Sequence, residues 1–176
     1  MNELTAVHTC GMAIVGQGVA TAPDLSGLRP KRKASLYADP LSWLVLDAVE
    51  HAVDDCGEEF LSERESVGHI VVSDQCTIHT MREIAAAIPA GRISPLRFSG
   101  ANPGSVCSLP SQLLGFSGPS MTLSMPAEKG LPFAKVLAGI WLGQHSAAHV
   151  LLTSHTAGAA GHRVTSTIFK KTGQGD

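Results

Sequence analysis

Blocks of apolar residues along the chain predict an alternation of strands and helices. Short continuous apolar runs are typical of buried strands, and they occur at residues 11–20, 67–73, 121–125 and 147–154. Longer segments with apolar residues at helical spacing occur at residues 40–56, 80–88, 105–114 and 127–143. Strands that alternate with helices in this way indicate an α/β fold, with a mixed but mostly parallel sheet covered by helices on both faces.

The helix at residues 40–56 has the clearest sequence signature. Asp39 is a suitable N-cap, Pro40 fits the first helical position, and Gly57 fits the position just after the end. A wide apolar stripe predicts that this helix packs against the sheet. The stripe consists of Leu41, Leu44, Val45, Ala48, Val49, Ala52, Val53 and Cys56.

The rest of the chain suggests a single domain over residues 1–176 with two irregular parts. Residues 21–39 form a polar connector that carries the one basic cluster, and this cluster is either a solvated loop or a docking patch for an acidic partner. From about residue 157 we expect a flexible tail, to which residues 164–169 could add one more strand. His155 and His162 are placed in a loop and are most simply read as solvent-facing. The basic cluster in the connector at residues 21–39 consists of Arg29, Lys31, Arg32 and Lys33.

Composition and charge narrow the classes of function. The chain has 176 residues, of which 44% are hydrophobic and 16% charged, so global disorder is excluded. A net charge of −2 argues against a nucleic-acid-binding surface. No apolar run approaches the roughly 18 residues of a membrane span, and the first residues lack a secretory signal pattern. We therefore expect a cytoplasmic protein that binds neither nucleic acid nor membrane.

Candidate metal and cofactor chemistry is sparse. The four cysteines are at least 20 residues apart, which does not fit a zinc site. His145 and His149 have metal-ligand spacing for a helix, but the predicted change from helix to strand near residue 146 separates them. Gly16 and Gly18 suggest a dinucleotide-binding turn, yet Thr21 stands where a third glycine is needed. The sequence thus predicts no metal and no cofactor.

Four segments together resemble the N-terminal half of a β-ketoacyl synthase of the thiolase superfamily. They are GMAIVGQGVA at 11–20, DPLSWLVLDAVEHAVDDCG at 39–57, VGHIVVS at 67–73 and GFSGPSMTLSMPAEKG at 115–130. The GPSMTLS portion is the specific part of this likeness. The resemblance covers about residues 10–155 and implies half of a thiolase-type fold, with a sheet of about five strands.

The same resemblance implies that the catalytic machinery is missing. In the family a nucleophilic cysteine begins the helix after this strand, because helix-terminal N–H groups favour a thiolate. An ungapped match places Ala127 at that position, and a methyl group cannot attack a thioester. The family's catalytic histidines and lysine lie in the other half of the fold. We therefore expect no catalytic residue; Cys107, in a loop that passes near the family's active site, is the weaker candidate for a reactive thiol.

The implied function is that of a non-catalytic, ketosynthase-like accessory protein in polyketide or fatty-acid-type biosynthesis. Its expected partners are a ketosynthase or a second copy of the chain, an acyl carrier protein that docks on the basic cluster, or an acyl chain. The alternative is a small enzyme that processes acyl thioesters through Cys107 or a histidine. Under the first interpretation, no nucleophile stands within hydrogen-bonding reach of a histidine at the start of the helix at residues 127–143.

Two features of the sequence predict association with another chain. The helix at residues 127–143 is apolar almost all round, and such a helix must be buried on all sides. The strand at residues 121–125 would leave an open edge. We expect a homodimer or a heteromer with a ketosynthase. The predicted core consists of Ile14, Val15, Leu44, Val45, Val49, Ile70, Val71, Val72, Leu123, Leu137, Ile140, Val150, Leu151 and Leu152.

Overall fold

A five-stranded sheet lies between two layers of helices. In this computed structural model, residues 11–28, 30, 37–92 and 94–172 are described. The strands are β1 (Met12–Ala22), β2 (Val67–Val72), β3 (Ser120–Leu123), β4 (His149–Gly158) and β5 (Gly161–Lys171). The helices are α1 (Pro40–Cys56), α2 (Glu58–Ser62), α3 (Ile78–Ala87), α4 (Pro95–Gly100), α5 (Ser105–Leu114) and α6 (Ala127–Gly143).

The strand order across the sheet is β1-β5-β4-β2-β3. Strand β2 pairs in parallel with both β3 and β4, whereas β5 runs antiparallel to β4 and to β1. Four of the five strands therefore point the same way, and β5 alone points the other way. The predicted α/β class, with a mixed and mostly parallel sheet of five strands, is confirmed.

Helices α1 and α5 cover one face of the sheet, and α6 covers the other. The α1 layer packs against Val71, Leu151 and Ile168. It comes very close to β1, because a side chain at Gly18 would collide with the backbone oxygen of Ala48. The Gly16–Gly18 pair is thus explained by helix–strand packing.

Helix α6 packs only one of its sides on the sheet. Its Ala134, Ala138 and Leu142 are buried against Ile70 and Val150. The opposite side of the helix is exposed, so the predicted burial of Ile140 is wrong. Ile14 of β1 is exposed as well, so its predicted burial is also wrong.

Residues 157–172 are more ordered in structure than the sequence suggested. In place of a flexible tail from residue 157, strand β5 inserts between β1 and β4. His155 lies inside β4 and His162 inside β5. His155 is only 1% exposed, so its predicted loop position facing solvent is wrong. The hairpin that joins β4 to β5 brings both histidines together.

The remaining boundaries differ slightly from the expected ones. Strand β3 ends at Leu123, two residues earlier than predicted, and β1 continues to Ala22, into the predicted connector. Within the parts of the chain that the structure describes, none of the helices is both long and apolar enough to cross a membrane.

Candidate functional site

The turn from β3 into α6 places Ala127 at the first position of a 17-residue helix. The carbonyl oxygen of Pro126 accepts hydrogen bonds from the backbone N–H groups of Lys129 and Gly130, at 3.0 and 2.9 Å. Ala127 is buried, 6% exposed. The helix thus begins in an ordinary way, and the side chain at its first position is a methyl group without nucleophilic capacity.

Cys107 lies in the core, inside α5. Its side chain is 2% exposed, and Sγ donates to the backbone oxygen of His69 at 3.2 Å. Burial raises the pKa of the Cys107 thiol to about 12. The thiol is therefore protonated at neutral pH and faces packed protein, an environment that favours packing over reactivity.

A buried polar chain runs from Cys107 across the sheet. His69 Nδ1 lies 3.3 Å from the Cys107 carbonyl oxygen, which can only accept, so Nδ1 carries the proton. His69 Nε2 then accepts from the Thr153 hydroxyl at 3.1 Å, and Thr153 accepts from Ser166 at 2.9 Å. Burial lowers the pKa of His69 to about 4, so the ring is neutral. This hydrogen-bond network satisfies buried polar groups of α5, β2, β4 and β5.

A second chain of hydrogen bonds lies at the carboxyl end of β2. Ser73 Oγ is 2.9 Å from His155 Nδ1, and His155 Nε2 is 2.9 Å from His162 Nδ1. Burial, and then the neighbouring charge of His162, lowers the pKa of His155 to about 4. We expected no nucleophile within reach of a histidine at the start of α6. The same edge of the sheet nevertheless holds this serine–histidine pair, which the sequence did not indicate.

Cys76 lies in the turn that leads from β2 into α3. Its backbone has a φ of 41°, in the left-handed region that residues other than glycine seldom adopt. The Sγ atom donates to the backbone oxygen of Ser73 at 3.0 Å and lies 3.5 Å from Ser124 Oγ. Burial raises the pKa of the Cys76 thiol. The thiol lines a cavity of about 220 Å³ that His162 also lines.

The other sequence candidates do not come together. His145 is exposed in the turn after α6, whereas His149 is buried in β4 with its Nδ1 3.4 Å from a carboxylate oxygen of Glu63. Among the described residues, no three His, Cys, Asp or Glu side chains are grouped so as to hold a metal ion. The basic cluster of Arg29, Lys31, Arg32 and Lys33 lies outside the described residues.

Comparisons with known proteins identify the fold. No protein-family model and no curated protein matches the sequence. The ishigamide ketosynthase/chain length factor superposes with a TM-score of 0.74 at 12% identity, over 94% of this chain and 63% of that one. An acyl-carrier protein–ketosynthase complex, AntDE:AntF, gives 0.69 at 14% identity, over 91% and 62%.

In a third matched structure, the alignment covers a larger share of the known protein. It is the ketosynthase ApeO in complex with its chain length factor ApeC from Xenorhabdus doucetiae. It matches with a TM-score of 0.62 and 11% identity, over 93% of this chain and 80% of that chain. Identities this low establish the fold alone. The chain has the fold of a ketosynthase half-domain of the thiolase type, and it spans about three fifths of the length of the first two matched chains.

The serine, cysteine and histidines at the end of β2 are the site residues that sequence reasoning missed. One signal was available, since Ser73 and Ser124 each follow a strand of a parallel sheet, where ligand sites commonly form. The histidines were missed because the sequence predicted a loop at residues 155 and 162, whereas both residues lie in strands.

Proposed function

We propose that the protein is a non-catalytic accessory subunit of polyketide or fatty-acid-type biosynthesis that associates with a ketosynthase. The observation that carries this proposal is the exposed apolar side of α6, opposite its packed side. Phe133 is 66% exposed, Val136 65% and Ile140 45%. Their spacing of three and four residues puts them on one face of the helix. We call these three residues the α6 stripe.

The α6 stripe is an unusual surface for an isolated chain. Monomeric soluble proteins seldom expose contiguous apolar patches beyond a few hundred Å². A partner that covers the stripe would complete the burial that a helix apolar on all sides requires. Association with a second protein would explain the apolar character of this helix.

Strand β3 supplies a second reason to associate. It stands at the end of the sheet, and within the described residues it pairs only with β2. Its outer edge therefore has backbone groups available for a further strand, and Met121 on it is 42% exposed. A partner strand would satisfy those groups. A second copy of the chain could cover the same edge symmetrically.

The site chemistry supports a role without condensation. Ala127 offers no nucleophile at the start of α6, and Cys107 is too deeply packed for the alternative role in acyl-thioester processing. Two of the matched structures are complexes, one of a ketosynthase with a chain length factor and one of a ketosynthase with a carrier protein. By analogy, a ketosynthase is the proposed partner of the α6 stripe, and an acidic carrier protein remains the predicted partner of the basic cluster.

The test is the assembly of the purified chain and its Val136→Lys variant. Light scattering of the chain, alone and mixed with a purified ketosynthase, should show a complex that Val136→Lys weakens at least tenfold, because a charge would be buried in the interface. Leu96→Lys is the matched control, since Leu96 is 59% exposed and belongs to a different helix, α4. Equal weakening by both variants, or a stable monomer in both experiments, would contradict the proposal.

Catalytic inertness is tested separately on the same samples. Incubation with malonyl and acyl thioesters, followed by intact-mass measurement, should give no covalent adduct and no released thiol. An adduct that maps to any residue of the chain would replace the accessory role with an enzymatic one.

A further inference from the structure

The cavity beside α3 has polar walls that the proposed association does not use. It measures about 220 Å³ and shares no lining residue with the α6 stripe or β3. The lining residues are Asp24, Leu25, Ser26, Gln75, Cys76, Ile78, His79, Arg82 and His162.

The hydrogen bonds behind the cavity fix which atom of His162 carries the proton. Ser73 Oγ accepts from the backbone N–H groups of Gln75 and Cys76, at 3.1 and 3.0 Å, which occupies both of its lone pairs. Its own hydroxyl proton must therefore go to His155 Nδ1. Neutral His155 then carries its proton on Nε2 and donates it to His162 Nδ1. In the tautomer in which His162 Nδ1 accepts this bond, the N–H of His162 is at Nε2.

Arg82 contributes a second group of hydrogen-bond donors to the lining of the cavity. None of the described residues forms an ion pair with the guanidinium of Arg82. The carboxylate of the adjacent Glu83 lies 3.2 Å from Arg97 and 3.5 Å from His79. Arginine presents a planar fork of donors that matches a carboxylate or phosphate. The cavity therefore combines a guanidinium that no described residue pairs with and an imidazole held as a donor.

One feature of the cavity opposes an anion. Asp24 lies in the wall, and hydrogen bonds from Ser26 and Gly27 lower its pKa and keep it ionised. Both bonds go to Oδ1, which ties the carboxylate to its own turn. Asp24 also interacts electrostatically with His162, so its negative charge should weaken the binding of an anion.

We propose that this cavity binds a small oxyanion, a carboxylate or a phosphate group, through Arg82 and the Nε2–H of His162. Ser73 and His155 are positioning residues, because they hold His162 in the donor tautomer. The proposal goes beyond the accessory role and stands independently of it.

Titration with sodium acetate and with sodium phosphate, at ionic strength held constant with sodium chloride, tests the binding. Imidazole ¹H–¹⁵N spectra should show His162 protonated at Nε2, and its signals should shift on saturation with one of the two anions. Acetate alone would identify a carboxylate site, and phosphate alone a phosphate site. An Nδ1–H tautomer, or equal shifts with chloride alone, would overturn the proposal.

Three variants separate this site from general electrostatics. Arg82→Gln should weaken binding at least tenfold, and Asp24→Asn should tighten it several-fold because the opposing charge is removed while Oδ1 is kept. Lys129→Gln is the control, since Lys129 is exposed on α6 and does not line the cavity, and it should leave the affinity unchanged. Loss of binding in Lys129→Gln as large as in Arg82→Gln, or no response to Asp24→Asn, would contradict specific recognition.

Discussion

Asp39 is a fully buried carboxylate that begins two helices at once. Its Oδ1 accepts from the backbone N–H of Leu41 at the start of α1, and its Oδ2 accepts from Thr80 at the start of α3, both at 2.9 Å. Helix N-termini carry unpaired donors and partial positive charge, so both contacts stabilise the carboxylate. One residue thereby ties α3 to α1, although the sequence indicated only the first of these roles.

Replacing Asp39 should therefore cost more than the loss of a single helix cap. We expect Asp39→Ala to lower the free energy of unfolding by about 3 kcal/mol, because it leaves buried donors at two helices without partners. Asp39→Asn should lower it less, since the side-chain oxygen can still cap α1. Urea denaturation measures both. Asp54→Ala, on the exposed side of α1, is the control, and equal losses for the Asp39→Ala and control variants would refute the double role.

At the scale of elements, apolar runs and helix caps were enough to predict four of the five strands and the major helices. Strand β5 was only partly foreseen because its buried apolar residues Val164 and Ile168 alternate with polar ones. Ser166 is buried there through its hydrogen bond to Thr153 on β4, so no continuous apolar run marks the strand. The site at the end of β2 escaped prediction for a related reason, since Ser73 and His155 are 82 residues apart in sequence.

The contact between β1 and α1 gives a prediction at this scale. A methyl group at Gly18 would overlap the backbone of α1 at Ala48 and Ala52, and backbone atoms cannot move aside as a flexible side chain can. Gly18→Ala should lower the free energy of unfolding by at least about 2 kcal/mol. Gly143→Ala, where no atom lies within 4 Å of the new methyl group, should be nearly neutral. Thermal or urea unfolding of both variants makes the comparison, and a neutral Gly18→Ala would show that the layers are looser than described.

At the scale of the whole molecule, the buried histidines link stability to pH. His69 and His155 each have a pKa lowered by burial to about 4, against roughly 6.5 in an unfolded chain. Between these values the unfolded state binds more protons than the folded state, so stability must fall as the pH falls. Above about pH 6.5 the two imidazole rings are neutral in both the folded and the unfolded state. The two histidines then do not make the free energy of unfolding depend on pH.

The free energy of unfolding should therefore decline steadily from about pH 6.5 to pH 4. His69 alone should account for a loss on the order of 3 kcal/mol over this window, the energy equivalent of its pKa shift. His69→Gln keeps a polar side chain without the titration, so its stability should depend less steeply on pH, even if it is less stable at pH 7. His145→Gln, at an exposed position, should retain the parent slope. Urea unfolding at half-unit steps of pH measures the slopes, and an unchanged slope in His69→Gln would show that protonation of the buried ring does not govern acid stability.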